Sequence, residues 1–109
     1  MNFNEYQTKA YETEIYKGKA DPIQYLLLGL HEEGGEIAGK VKKVLRDEKG
    51  VFSEKFKEDI KKELGDVLWY LSALAKEFGF DLNSIAEANI VKINSRKERD
   101  RLHGEGDDR

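Results

Sequence analysis

Pro22 is the chain's only proline, and it follows Asp21, so an acidic cap and a proline at the first helical position together start a helix. Nothing after it locks the backbone against helix. From there to about Asp47, Ile23, Leu26, Leu27, Leu30, Ile37, Val41, Val44 and Leu45 return at helical spacing. A turn at Lys49-Gly50 and a capping Ser53 lead to a second broad apolar face: Phe56, Ile60, Leu64, Val67, Leu68, Leu71, Leu74 and Phe78, closed by Gly79. A shorter first helix is predicted over Asn4 to Lys17, ending at Gly18. A fourth opens at Asp81 or Asn83 and carries Leu82, Ile85, Ile90, Val91 and Ile93.

The expected architecture is one all-α domain over residues 1–109, an antiparallel arrangement like a four-helix bundle, with residues 103–109 a flexible tail. Gly29, Gly34, Gly35 and Gly39 interrupt the second helix's composition but not its apolar phase, so a continuous helix is predicted. The missing side chains would make room for a neighbouring helix or a ligand.

Composition narrows the chemistry. Cysteine is absent, which excludes disulfides, a thiol nucleophile and thiolate zinc sites. Nineteen Lys and Arg against 22 Asp and Glu give a net charge of -3, a poor match for a nucleic-acid polymer or an anionic membrane surface. No run approaches the roughly 20 apolar residues of a membrane span. Met1 to Glu5 lacks the basic start of a signal peptide, so a cytoplasmic location is expected.

Two acidic clusters stand out, Glu32-Glu33-Gly34-Gly35-Glu36 and Glu63-Leu64-Gly65-Asp66. At about 100° per residue, Glu33 falls roughly 70° and Glu36 roughly 130° from the centre of their helix's apolar face. Glu63 and Asp66 take nearly the same offsets on the later helix. Packed antiparallel, the two helices could point four carboxylates into one pocket. As ordinary solvated faces these residues would instead form pairs such as Glu36 with Lys40 and Glu58 with Lys62. Against that stand the like-charge spacings Glu32 to Glu36 and Asp59 to Glu63, and positions that border the core. Converging carboxylates repel unless a cation joins them, and oxygen-only ligation favours Mg²⁺ or Mn²⁺.

Other chemistries lack their residues. His31-Glu32 has Gly35 where a zinc protease needs its second histidine. Neither acidic pair continues into the histidine of a bundle di-iron site. Gly104 to Asp108 has the wrong spacing for a calcium loop, and no Gly-rich phosphate loop is present. Asn89, Lys92, Arg96 and Arg99 form one polar and basic helical stripe suited to phosphate, or to solvent alone.

The acidic motifs Glu32-Glu33-x-x-Glu36 and Glu63-x-x-Asp66, with the lead-in Leu30-His31 and the continuation Val67-Leu68-Trp69, resemble the signature of the MazG-type all-alpha nucleoside triphosphate pyrophosphohydrolases. The likeness runs from about Ile23 to Arg101. It implies magnesium-dependent hydrolysis of a nucleoside or deoxynucleoside triphosphate between the α and β phosphates, giving a monophosphate and pyrophosphate. By resemblance, Glu33, Glu36, Glu63 and Asp66 match the metal ligands, and Glu32 matches a residue that orients water or an outer-shell group. Asn89, Lys92 and Arg96 resemble the family's positions near the nucleotide, with Lys92 adding charge stabilisation. Arg99 extends their stripe, and Arg109 on the Gly-Asp-rich ending could reach phosphate. Gly34-Gly35 is unusually bare for the family. The resemblance also implies homodimers or tetramers whose subunits share helices. A dUTP- or dCTP-directed hydrolase is the alternative within the fold, and a helical interaction module using Trp69 the alternative outside it.

Overall fold

Each helix begins where a short polar side chain satisfies an otherwise unpaired backbone N–H. The computed structural model describes residues 1–15 and 21–109. Helix α1 is Phe3–Glu12, α2 Pro22–Asp47, α3 Glu54–Glu77 and α4 Leu82–Glu98, and no strand occurs among the described residues. Asn2 Oδ1 accepts from Glu5 N at 2.8 Å, Asp21 Oδ1 from Gln24 N at 3.3 Å, Ser53 Oγ from Phe56 N at 3.1 Å and Asp81 Oδ1 from Ser84 N at 2.8 Å.

The first helix is shorter than its apolar pattern predicts. Thr13 caps it, with its hydroxyl donating to Ala10 O at 2.7 Å and its N–H to the same carbonyl at 3.0 Å. This local bonding competes with another helical turn. Tyr16, Lys17 and the expected stop at Gly18 lie outside the described residues. Helix α2 runs unbroken through Gly34, Gly35 and Gly39, as its phase requires. Left-handed Lys49 (φ 56°) and Gly50 (φ 75°) then reverse the chain.

Helices α2 and α3 make the most extensive contact, as an antiparallel hairpin: Val44 lies by Phe56, Lys40 by Glu63, and Gly29 by Tyr70. Gly29 sets the approach, because a Cβ there would sit 2.1 Å from the Tyr70 ring. Four other helical glycines do not serve an intrachain contact. A Cβ at Gly34, Gly35, Gly39 or Gly65 would meet open space.

Helix α1 lies against both α3 and α4. The buried Gln7 amide joins them, donating to Phe80 O at 3.0 Å and Ser72 O at 3.3 Å while its oxygen accepts from Leu82 N at 3.2 Å. The fourth helix is therefore joined to the hairpin chiefly through α1 and does not close over α2. Among the described residues the buried apolar set is small: Ala10, Leu26, Val44, Ala73, Ala75 and Leu82. Leu64, Leu71, Ile85, Ile90, Val91 and Ile93, predicted on apolar faces, are exposed in the single chain. Its surface of 8240 Å² exceeds the roughly 6,200 Å² usual for this mass. Its radius of gyration of 17.0 Å exceeds the usual figure of about 13 Å. No described helix is long and apolar enough to cross a membrane.

Candidate functional site

The hairpin register brings one turn of α2 opposite one turn of α3, and with it the two acidic motifs. Carboxylate oxygens of Glu33, Glu36 and Glu63 all lie within 4.8 Å of one another. Glu33 and Glu36 are three residues apart and share a helix surface, while Glu63 reaches them from across the seam. Asp66, one turn after Glu63, falls outside this trio but lines a cavity with Glu33 and contributes to its electrostatics.

Crowding sets the protonation behaviour. Partial desolvation, then repulsion from Glu36, Asp66, Glu63 and Glu32, holds Glu33 above the usual glutamate range. Glu36 is raised by desolvation and by Glu63, including a carboxyl–carboxylate hydrogen bond between them. Glu63 moves the opposite way, because Lys40 Nζ donates to its Oε1 at 2.5 Å. A single ammonium seated against one member of an oxygen-only trio leaves two carboxylates underneutralised. The donor set thus fits a divalent cation that prefers oxygen ligands.

Lys40 does not make the pair that an ordinary solvated face would give it. It bonds across the seam to Glu63 and not along its own helix to Glu36, because the α3 carboxylate lies closer. Lys62 likewise approaches Asp59 at 3.6 Å in place of Glu58, and Lys55 holds the same aspartate at 2.9 Å.

Beside the carboxylates opens a cavity of about 400 Å³ lined by Thr13, Ile15, Glu33, Asp66, Trp69 and Tyr70. Trp69 and Tyr70 meet edge to face, with ring centroids 5.1 Å apart. As the contact of an interaction module, Trp69 would face a partner protein. Its indole N–H instead donates to Thr13 Oγ1 at 2.9 Å, so two of the cavity's lining residues are bonded to each other. Spacing held the clue: Trp69 and Tyr70 are three and four residues after Asp66 and share its helix surface. Thr13 and Ile15 come from beyond α1, where no pattern marks them.

The basic stripe is placed elsewhere in the single chain. No α4 residue lines the carboxylate cavity. Asn89 borders an apolar groove with Phe3, Leu68, Leu71, Leu82, Ile85 and Ala86. Lys92 and Arg96 bond to Asp107, and Arg99 to Ser95 Oγ and to the main-chain oxygen of Arg109. Residues 103–109, expected as a flexible extension, fold back along α4 through these bonds. Glu32 is exposed beside the trio and adds to its negative field.

Two comparisons bear on this arrangement. Residues 22–100 match the model of the MazG nucleotide pyrophosphohydrolase domain. The chain is also 41% identical over 114 residues to the Gene 37 protein of Mycobacterium phage L5, covering 100% of each. No solved structure matches it significantly. The matched span includes both acidic motifs and the hairpin that brings them together, so this all-α chain belongs to the MazG nucleotide pyrophosphohydrolase family.

Proposed function

We propose that the chain hydrolyses nucleoside or deoxynucleoside triphosphates between the α and β phosphates, using Mg²⁺ or Mn²⁺. The observation that carries this reading is the three-carboxylate cluster opening onto an aromatic-walled cavity. Glu33, Glu36 and Glu63 would hold the ion, with Asp66 beside them. The ion, when bound, neutralises polyphosphate charge and supplies Lewis acidity. Trp69 and Tyr70 offer the nucleoside an apolar wall. Glu32, beside the ligands, orients the attacking water. That water's oxygen bonds to the α phosphorus as the bond to the bridging oxygen breaks and pyrophosphate leaves.

Phosphate charge beyond the ion falls to Asn89, Lys92, Arg96 and Arg99. In one chain these residues do not meet the cavity, and the exposed apolar residues of α3 and α4 give a reason. A second copy packed on those faces would cover Leu64, Leu71 and Ile90 and bring its α4 stripe to the carboxylates. A homodimer or tetramer is therefore part of the proposal.

The test is phosphorus NMR of the products formed from common and modified triphosphates in ¹⁸O-water, with magnesium and then with EDTA. Metal-dependent formation of pyrophosphate and a monophosphate bearing one ¹⁸O supports the reading. Label in orthophosphate, or no turnover across the panel, sinks it. The same panel separates a broad hydrolase from a dUTP- or dCTP-directed one.

A further inference from the structure

Arg96 is the one basic side chain in the buried set among the described residues, at 8% exposure, and its Nε has no partner. A buried guanidinium requires an anion or several acceptors to offset its lost hydration. Here the acceptors come from the C-terminal segment. Arg96 Nη2 donates to Asp107 O at 2.7 Å and to Asp107 Oδ1 at 3.3 Å, while Lys92 Nζ donates to the same Oδ1 at 3.2 Å.

The segment's backbone and the Asp107 carboxylate are held differently. Left-handed Gly104 and Gly106 fold residues 101–109 into a loop. Arg109 fastens that loop, donating to Arg101 O at 3.3 Å, Leu102 O at 3.2 Å and Gly106 O, while Arg99 donates to the main-chain oxygen of Arg109 at 2.9 Å. None of these bonds uses the Asp107 side chain. That side chain is 84% exposed, and its two charged bonds exceed the roughly 2.7–2.9 Å of a tight charge-assisted hydrogen bond. The cations still hold it below the usual aspartate range, Lys92 first and Arg96 second.

We propose that Lys92 and Arg96 form a phosphate seat which the Asp107 carboxylate occupies in the resting chain, and that a polyphosphate displaces it while the Arg109-fastened loop stays in place. This rests on the reading above that Lys92 and Arg96 meet substrate phosphate. Asp107 then sets the affinity of the seat: one negative charge suffices to occupy it and yields to a more highly charged anion.

Calorimetric titration of the full chain with inorganic tripolyphosphate, in EDTA and at low ionic strength, isolates the seat from metal binding. Asp107→Asn should bind tripolyphosphate about two- to fivefold more tightly than the wild type, the range expected on removing an exposed ion pair. Lys92→Ala should weaken binding, and the gain should vanish in the Lys92→Ala, Asp107→Asn double variant. If Asp107→Asn binds no more tightly while Lys92→Ala binds more weakly, the seat is real but Asp107 does not compete for it. If Lys92→Ala has no effect, or tripolyphosphate does not bind at all, the phosphate role of the stripe falls together with the inference. Magnesium-dependent turnover by the wild type, assayed in parallel, shows whether the enzymatic reading survives on its own.

Discussion

Lys40 on α2 bonds to Glu63 on α3 at 2.5 Å, so a cation of the fold's own already sits on one of the three clustered carboxylates. That contact neutralises part of the cluster and competes with any ion drawn to the same oxygen. Lys40→Met should make Mn²⁺ bind severalfold more tightly while lowering the melting temperature of the metal-free protein. Titration followed by electron paramagnetic resonance and melts in EDTA check the two halves. Weaker Mn²⁺ binding would mean that Lys40 positions Glu63 for the ion and does not compete with it.

Removing a carboxylate should separate folding from activity. Glu36→Gln deletes a charge that Glu63 and Glu32 oppose, so the metal-free melting temperature should hold or rise while turnover falls more than about tenfold. Asp66→Asn should fold normally and also lose turnover. Wild-type rates from both variants would remove these residues from the site.

The pH response follows from opposing shifts. Glu33 and Glu36 are raised, so at these two sites the metal-free folded chain binds more protons than the unfolded one, and their contribution to stability falls as pH rises from the ordinary glutamate value of about 4.3 through the raised values. Glu63 is lowered; its contribution is present above the ordinary value and is lost as pH falls through its depressed one. Bound Mg²⁺ should offset the first effect. The gap between melting temperatures with magnesium and with EDTA should therefore widen from about pH 4 to pH 7. A gap that narrows over that window would contradict the assignment.

Two glycines should answer oppositely to alanine. Gly29→Ala drives a Cβ into the Tyr70 ring and should cost about 1–3 kcal/mol, the usual range for overpacking. Gly35→Ala meets open space in the single chain and should gain about 0.4–1 kcal/mol. Denaturation at several protein concentrations also probes assembly. A Gly35→Ala variant that is destabilised only where the wild type is oligomeric would place a partner's backbone against α2.

Helix positions and caps were readable because they depend on neighbours in sequence: Asp21-Pro22, Ser53 and Asp81 each start a helix where their chemistry requires. The glycine-bearing α2 was readable because its apolar phase survives Gly34-Gly35. The trio of Glu33, Glu36 and Glu63 was legible as two helical edges, since antiparallel packing follows from a short connection. What escaped depended on distances between segments. The preference of Lys40 for Glu63, the turn of Trp69 toward Thr13 and the folding of Asp107 onto Lys92 and Arg96 are set by which groups the tertiary packing makes nearest. The end of α1 departs from its apolar pattern because Thr13 offers its backbone a local alternative to helix.

Gln7 ties α1 to the last turns of α3 and the start of α4, with partners 65, 73 and 75 residues away. Loops that long close slowly, because their chain entropy is lost before any contact repays it. The α2–α3 hairpin can pair early across its short connection, whereas α4 gains its direction only when Gln7 meets Ser72, Phe80 and Leu82. On a ribosome that meeting waits until those last residues emerge. The acidic half of the site is therefore expected to assemble before the helix bearing Lys92 and Arg96 takes its direction.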